Sequence, residues 1–358
     1  MESVHVAAYK VPGEARESDG TLQWDSMTMI LVEVTAGGTT GLGYTYSERS
    51  AAVLVADKLA GVLVGRSALA TRDCWYALVH ATRNLGRPGI VSSAIAACDI
   101  AMHDLKAKLL GVSAAQLLGG RRHEVDAYGS GGFTSYSEAE LVEQLGRWTA
   151  EGFSMVKMKV GRQPAEDPAR VAAARRAIGD RAGLFVDANG AYDRKRALHF
   201  AQVFAGYDVS WFEDPVSSND LEGMRMIRDQ GPPGMEITTG EYGYDTIYFR
   251  RLAEAGAADV MQADATRCAG FTGFLLADAV ADAFELPLSS HTAPSAHLHC
   301  CCAALQIRHM EWFHDHVRIE HMLFDGAPEP KHGRLSPDFS RPGIGVSLKR
   351  ADAEPYRI

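Results

Sequence analysis

The chain has 358 residues, of which 46% are apolar and 23% charged, values typical of a globular protein with two domains or one large barrel. Its formal net charge of −9 provides no basic surface for nucleic acid, so an anionic substrate must be held by a local site or a metal ion. No signal peptide, membrane-spanning stretch or CxxC cysteine spacing is found, so we expect a cytoplasmic protein with reduced thiols and no membrane partner.

The first third of the chain predicts an α+β domain, which we assign to residues 1–122. The runs "VHVAAYKV" and "MTMILVEVTAGGTTGLGYTY" predict strands joined by glycine-rich turns, and two helical patterns follow them. The second helical pattern, "SSAIAACDIAMHDLKAKLLG", contains His103, which we interpret as a packed or interfacial residue.

From about residue 125 the sequence repeats a strand and a helix. The predicted strands are 125–133, 155–160, 183–189, 209–214, 235–241, 258–264, 286–291 and 309–313. Amphipathic stretches between them begin near Ser or Asp and end at Gly, as capped helices do. Eight such units predict a TIM-type (β/α)7-8 barrel over residues 123–320. The segment 321–358, rich in Gly and Pro, is predicted to pack back against the first domain and complete it.

Nearly every predicted barrel strand finishes on a charged residue or a histidine. In chain order these residues are Lys157 and Lys159, Asp187, Glu213, Glu241, Asp264, His291 and Glu311. From Lys159 onward they are 20 to 28 residues apart, the length of one strand and helix. Because the active site of a TIM-type barrel lies at the carboxyl ends of its strands, these side chains should meet in one ring.

Three consecutive members of the ring are carboxylates, from Asp187, Glu213 and Glu241. An all-oxygen set of this kind suits Mg²⁺ and disfavours zinc. The alternative, three unrelated acids in surface loops, would not place all three at equivalent strand ends.

Two further pairs in the ring indicate acid–base chemistry. On the strand "SMVKMKVG", Val156, Met158 and Val160 should face the surrounding helices, while both lysines face the barrel mouth. A neighbouring ammonium and a divalent cation would each lower the pKa of a lysine. Asp264 and His291 lie on adjacent strands, so the carboxylate can fix the tautomer of the imidazole.

These motifs together resemble the enolase superfamily, and within it the mandelate racemase-like group. The similarity rests on "KMK", "VDANG", "WFEDP", "GE", "DATRCAGFTG" and "SSH", and it covers essentially the whole chain.

The resemblance implies Mg²⁺-assisted removal of the proton next to a carboxylate, with one Mg²⁺ per active site on the three acids. It implies that Lys159 is the base and that Lys157 is the neighbour that lowers its pKa. It places His291, supported by Asp264, on the opposite face of the substrate, and it assigns Glu311, in its acid form, to the substrate carboxylate.

The resemblance favours dehydration of a sugar acid to a 2-keto-3-deoxy acid, with a racemase, epimerase or cycloisomerase as the alternative. A Schiff-base aldolase and a non-catalytic sugar-acid sensor are rival classes; the first needs no row of carboxylates, and the second would be expected to have lost Lys159 or His291. We also expect a homo-oligomer.

Substrate contacts are predicted at five positions. Arg16 and Trp24 lie within "RESDGTLQWD", residues 16–25, where the family has a mobile specificity loop and where Gly20 predicts flexibility. Ser130 ends the first barrel strand, Arg267 follows Asp264, and His314 lies just beyond Glu311 in "FHDH". In that motif His316 is an alternative to His314. An independent zinc site in "FHDH" or "HLH" is disfavoured because alternate residues of a helix diverge.

Overall fold

The computed structural model describes residues 1–358. Its N-terminal part is an antiparallel sheet of β1 (Ser3–Ser18), β2 (Gln23–Ala36) and β3 (Thr39–Tyr46), in that order. The helices that follow are α1 (Arg49–Leu54), a π-helical turn (Val55–Leu59), α2 (Ala60–Leu63), α3 (Thr71–Ala81), α4 (Ile90–Leu110) and α5 (Ala114–Leu117).

Helix α4 packs directly on β3. Glycines on this strand permit the close approach, because a Cβ atom built at Gly43 would clash with the backbone of Ala97 and Ala101. The helix is buried along most of its length, which explains its nearly continuous apolar sequence. His103 is buried within it, and its Nδ1 lies 2.9 Å from the carbonyl oxygen of Asp99, consistent with a packed residue.

The second part is a closed parallel barrel of eight strands. They are β4 (Val125–Gly131), β5 (Met155–Lys159), β6 (Gly183–Asp187), β7 (Val209–Glu213), β8 (Glu236–Thr239), β9 (Val260–Ala263), β10 (Leu288–Ser290) and β11 (Ile307–Phe313). Each pairs with the next, and β11 pairs with β4, which closes the barrel. The predicted barrel with an N-terminal α+β domain is confirmed, and we call the N-terminal part the capping domain.

Helices connect successive strands on the outside of the barrel. They are α6 (Glu138–Ala150), α7 (Asp167–Ile178), α8 (Arg194–Ala205), α9 (Leu221–Gln230), α10 (Thr246–Glu254), α11 (Gly270–Ala283) and α12 (Pro294–Ala303). Several start as the sequence predicts: Ser137 and Glu140 form a capping box, and Asp193, Asp220 and Asp245 each accept a backbone N–H of the first turn.

Several strands are shorter than predicted at their carboxyl ends. Glu241, Asp264 and His291 lie just beyond the last paired residues of β8, β9 and β10. The backbone there leaves the regular strand conformation, with positive φ at Gly240 before Glu241 and at Thr292 after His291, although the His291 N–H still donates to the Ala263 carbonyl at 3.0 Å. The ring residues therefore lie partly on strands and partly in the first residues of the loops.

The chain ends with α13 (His314–Leu323), β12 (Phe324–Asp325), β13 (Arg334–Leu335), β14 (Ser347–Leu348) and α14 (Arg350–Ala353). This segment packs on the capping domain: the Ile344 N–H donates to Asp104 Oδ1 at 2.7 Å, and the Ile358 N–H donates to the Ala8 carbonyl at 3.0 Å. The boundary predicted at residue 320 falls within α13, and the division at 122 stays a prediction.

All six cysteines are buried and unpaired. None of the helices combines the length and the apolar character needed to cross a bilayer.

Candidate active site

Strand β5 carries its apolar and charged residues on opposite faces, as its alternation predicts. Val156, Met158 and Val160 belong to the main apolar core, together with residues of the surrounding helices such as Leu141 and Val171. Lys157 and Lys159 point into the barrel mouth and are 0% and 5% exposed. Two buried ammonium groups require anionic partners, and the neighbouring strand ends supply them.

Each lysine has its own carboxylate partners. Lys157 Nζ lies 2.7 Å from Glu213 Oε1 and 2.8 Å from Glu311 Oε1, and Lys159 Nζ donates to Asp187 Oδ2. Burial and Lys157 lower the pKa of Lys159, but the Asp187 carboxylate outweighs them and the net pKa is raised. Lys157 acts in the direction expected from the sequence, and the raised net pKa comes from the direct ion pair with Asp187; the lowered pKa beside a bound divalent cation stays a prediction.

Asp187, Glu213 and Glu241 form the carboxylate cluster. All three are buried, and each offers an oxygen within 4.8 Å of the others. Backbone and indole donors orient two of them: the Asn189 N–H donates to Asp187 Oδ1 at 2.8 Å, and Trp211 Nε1 donates to Glu213 Oε2 at 3.0 Å. Three converging carboxylate oxygens fit a hard divalent cation such as Mg²⁺.

His291 lies between two carboxylates on the other side of the barrel mouth. Its Nδ1 is 2.8 Å from Asp264 Oδ2, and its Nε2 is 3.0 Å from Glu241 Oε2. Burial lowers the pKa of His291, but Glu241 and the hydrogen bond to Asp264 raise it to about 10. Asp264 is itself held by the N–H and hydroxyl of Thr266, both at 2.7 Å. This arrangement favours the protonated imidazole.

Glu311 lies below these groups and accepts from three donors. Besides Lys157, the Ser130 hydroxyl donates to its Oε1 at 2.5 Å, and the Thr292 N–H donates to its Oε2 at 2.8 Å. Burial raises the pKa of Glu311, but Lys157 and His291 lower it to about 2. These donors therefore stabilise the carboxylate form of Glu311, and the acid form that the resemblance implies for the substrate complex stays a prediction.

A cavity of about 180 Å³ opens above the ring, between the barrel and the capping domain. Six of the residues singled out from the sequence line it: Trp24, Lys159, Glu241, Arg267, His291 and His316. The sequence prediction missed most of the remaining lining residues. These include Leu22, Met27, Asn189, Tyr242, Thr292 and Phe313.

The segment 16–25 forms the cavity roof, but as a tight hairpin tip between β1 and β2. Asp19 Oδ1 accepts the N–H groups of Thr21 and Leu22, both at 2.6 Å. Gly20 packs on the barrel: a Cβ atom there would lie 2.7 Å from the Val160 carbonyl oxygen and would also clash with that of Ala188. The glycine is required by this close contact, which corrects its interpretation as a source of flexibility.

The five predicted substrate contacts divide into three groups. Trp24 and Arg267 line the cavity. Ser130 is fully buried beneath it and is engaged with Glu311. Arg16 is exposed on β1, and His314 lies 3.4 Å from Glu14 Oε2, so neither lines the cavity.

The structure places His316, not His314, in the cavity wall. Both belong to the first turn of α13, where residues two apart point about 200° from each other, so only one of them can face the cavity. The start of α13 at residue 314 decides which one does, and the motif "FHDH" alone does not reveal that start.

Family models match both parts of the chain. Residues 8–119 match the mandelate racemase / muconate lactonizing enzyme N-terminal domain, and residues 140–353 match the enolase C-terminal domain-like family.

Many known proteins are similar to this chain, and three of them illustrate the range. A mandelate racemase/muconate lactonizing enzyme-like protein from Rubrobacter xylanophilus is 51% identical with a TM-score of 0.98, covering 100% of this chain and 99% of that one. L-Talarate dehydratase from Polaromonas sp. JS666, solved with Mg and L-glucarate, is 31% identical with a TM-score of 0.90, covering 100% and 97%. The 3,6-anhydro-alpha-L-galactonate cycloisomerase of Streptomyces coelicolor is 31% identical over 96% of this chain and 98% of its own length.

Relatives of this chain thus include a dehydratase solved with Mg and L-glucarate and a cycloisomerase of an anhydrogalactonate. The fold, the order of the strand-end motifs and the carboxylate cluster agree with these matches. The chain belongs to the mandelate racemase-like group of the enolase superfamily.

Proposed function

We propose that the protein dehydrates a sugar acid to a 2-keto-3-deoxy acid, using Lys159 and His291 as its two acid–base groups. One observation carries this proposal: both side chains line the same cavity, and each contacts a different carboxylate of the cluster. Their strands, β5 and β10, are separated by two strands on one side of the barrel and four on the other, so the groups face each other across the mouth.

Asp187, Glu213 and Glu241 would hold the Mg²⁺ ion, whose charge would stabilise the negative charge that develops on the substrate carboxylate after proton loss. A cation at Asp187 would also offset the attraction that raises the Lys159 pKa in the ion pair.

The protein groups then have complementary tasks. Lys159, as a neutral amine, would take the proton from the α-carbon. His291, whose protonated form Asp264 stabilises, would donate a proton to the β-hydroxyl, which leaves as water. The C–H electron pair forms the new C=C bond while the C–O bond breaks, and the resulting enol tautomerises to the 2-keto acid. Lys157, bridging Glu213 and Glu311, would position the carboxylates.

A cycloisomerase is the second candidate, favoured by the 31% identity to the anhydrogalactonate enzyme. If the β-oxygen belongs to a ring of the substrate, the same proton transfers open the ring and no water is lost. The mass of the product separates the two reactions.

The test is incubation with Mg²⁺ and a panel of sugar acids, followed by assay of 2-keto acid formation. For a confirmed substrate, we expect Lys159→Met and His291→Asn each to lower kcat by ~100-fold or more, the usual contribution of a positioned acid or base. The matched control Lys195→Met changes an exposed lysine on α8 and should leave kcat unchanged. Normal turnover in both active-site variants would refute the assignment.

A further inference from the structure

We propose that the substrate is a monocarboxylic acid whose other end carries no charge. A hydroxyl at that end accepts a hydrogen bond from His316, and the less polar side of the substrate lies on Trp24 and Phe313. This inference rests on the proposed function and narrows its substrate class. It follows from the cavity wall opposite the carboxylate cluster, where the capping hairpin and the segment after β11 meet.

That wall offers no free cation for a second carboxylate. Lys159 and Arg267 are the only Lys or Arg residues that line the cavity. Arg267 Nη1 lies 3.3 Å from the Glu241 carbonyl oxygen and 3.4 Å from its Oε1, and its Nε lies 3.6 Å from Asp264 Oδ2. Arg267 also stacks over Tyr242, so its charge is already compensated within the barrel.

Asp19 adds a carboxylate to the same wall. Its Oδ1 is fixed by two backbone N–H groups of the hairpin tip, and the side chain is largely buried. A second carboxylate on the substrate would meet this like charge in a partly desolvated space, where repulsion is stronger than in water. A hydroxyl, by contrast, can donate to a carboxylate, so this wall selects for hydroxyl over carboxylate.

His316 presents a hydrogen-bond donor of known position. The Ala293 N–H donates to its Nδ1 at 3.2 Å, so in the neutral ring the proton lies on Nε2. The ring stacks on Tyr46, with centroids 3.4 Å apart, and meets the edge of Phe313 at 5.1 Å. Nε2 forms no hydrogen bond within the protein although the residue lines the cavity, so the donor is available to a ligand.

Beside His316 the wall is apolar. The indole N–H of Trp24 is taken up by Glu17 and Asp315, at 3.1 and 2.9 Å, so Trp24 offers only its ring to the cavity. Phe313 and Met27 add further apolar surface. A fully hydroxylated diacid would leave polar groups unpaired against these side chains, whereas a deoxy or cyclic monoacid would not.

The first experiment compares matched substrates in the Mg²⁺-loaded enzyme. A hexonate, its 6-deoxy analogue and the corresponding aldarate share their configuration at C2 to C5 and differ only at C6. We expect kcat/KM for the aldarate to be ~100-fold below that for the better of the two monoacids. This is the scale on which an apolar pocket rejects a substrate that carries an added polar group. Asp19→Asn should reduce this difference by ~10-fold, because it removes the like charge.

The second experiment tests the hydroxyl contact. His316→Asn retains an acceptor near Nδ1 for Ala293 but removes the Nε2–H donor. This variant should lower kcat/KM on the hexonate by ~10 to 100-fold, mainly by raising KM. For one of the 4-, 5- or 6-deoxy analogues, its kcat/KM should equal that for the hexonate, because the hydroxyl that this analogue lacks no longer has a donor to bind. His316→Gln returns an amide donor near Nε2 and should restore part of the loss. His321→Asn, on the same helix outside the cavity, is the matched control.

Two results separate this inference from the proposed function. Turnover that favours the aldarate, or an equal effect of His316→Asn on every analogue, would overturn the inference and leave the dehydratase standing. Absence of both product and α-proton exchange with solvent deuterium, for every member of a panel that also includes cyclic acids, would overturn both.

Discussion

The two sides of the cavity are built in different ways. On the barrel side, charged residues come from equivalent strand ends and compensate one another: Lys157 with Glu213, Lys159 with Asp187, and His291 with Asp264. On the capping side, the wall combines the hairpin tip with the first turn of α13, and its polar side chains accept backbone N–H groups, that of Thr21 at Asp19 and that of Ala293 at His316. We infer that the barrel side carries the chemistry, while the capping side selects the substrate.

Metal affinity tests this division most directly. Asp187→Asn removes one charge from the cluster. Loss of a residue that only supports a metal ligand lowers metal affinity by ~10–100-fold, so loss of the charge on a ligand itself should lower the Mg²⁺ affinity by more than that. Isothermal titration calorimetry measures the affinity. Asp19→Asn is the same substitution on the capping side and should change the affinity by less than about twofold. Equal losses in the two variants would contradict the division.

The barrel side was predictable from sequence because its residues recur at the period of the strand and helix unit. Each of the strand-end residues, from Lys157 to Glu311, lies at the barrel mouth as its spacing indicates. Their pKa shifts were not predictable, because they depend on which pairs touch. The ion pair with Asp187 raises the pKa of Lys159, and no sequence motif indicates that contact.

The capping side has no such period. Its tip is held by contacts between distant parts of the chain, such as the hydrogen bond from the Thr134 N–H to the Ser18 carbonyl at 2.8 Å. His316 was distinguishable from His314 only once the start of α13 was known. The sequence located the roof segment at 16–25 but could not show that Gly20 is needed for close packing.

Stability at alkaline pH should depend on the capping side. Burial and the neighbouring Asp315 raise the pKa of Glu17 to about 9, well above its ordinary value in the unfolded chain. The native state therefore holds a proton that the unfolded state has lost. The contribution of this proton to the free energy of unfolding is complete below the pKa that Glu17 has in the unfolded chain. It declines as the pH rises toward 9, at roughly 1.4 kcal/mol per pH unit at most.

Glu17→Gln mimics the protonated acid and should flatten this pH dependence. Urea unfolding at pH 7 and pH 9 measures it: the wild type should lose about 2 kcal/mol more than the variant between these values. A wild type and variant with the same pH dependence would show that Glu17 is already ionised at neutral pH.

One added methyl group should disrupt the contact between the hairpin tip and the barrel. Gly20→Ala places a methyl group against the carbonyl oxygens of Val160 and Ala188, so the tip must shift. We expect a loss of about 2 kcal/mol in the free energy of unfolding, together with a raised KM, because Asp19 and Leu22 move with the tip. Gly234→Ala is the matched control, because no atom lies within 4 Å of its added methyl group and its φ is not positive, so its stability and KM should be nearly unchanged. A Gly20 variant with unchanged KM would show that the tip does not shape the cavity.

The smallest effect concerns the indole N–H of Trp24, which both Glu17 and Asp315 accept. Trp24→Phe keeps an aromatic ring in the cavity wall and removes this donor, at a cost of about 1 kcal/mol of stability, the net value of one hydrogen bond. A double-mutant cycle with Glu17→Gln should give a coupling energy of about 0.5 kcal/mol or more, since both substitutions act on one network. The same cycle with Glu14→Gln, whose side chain is exposed, should be additive. Additivity in both cycles would mean that the carboxyl pair does not hold Trp24, and the apolar character of the wall would need another cause.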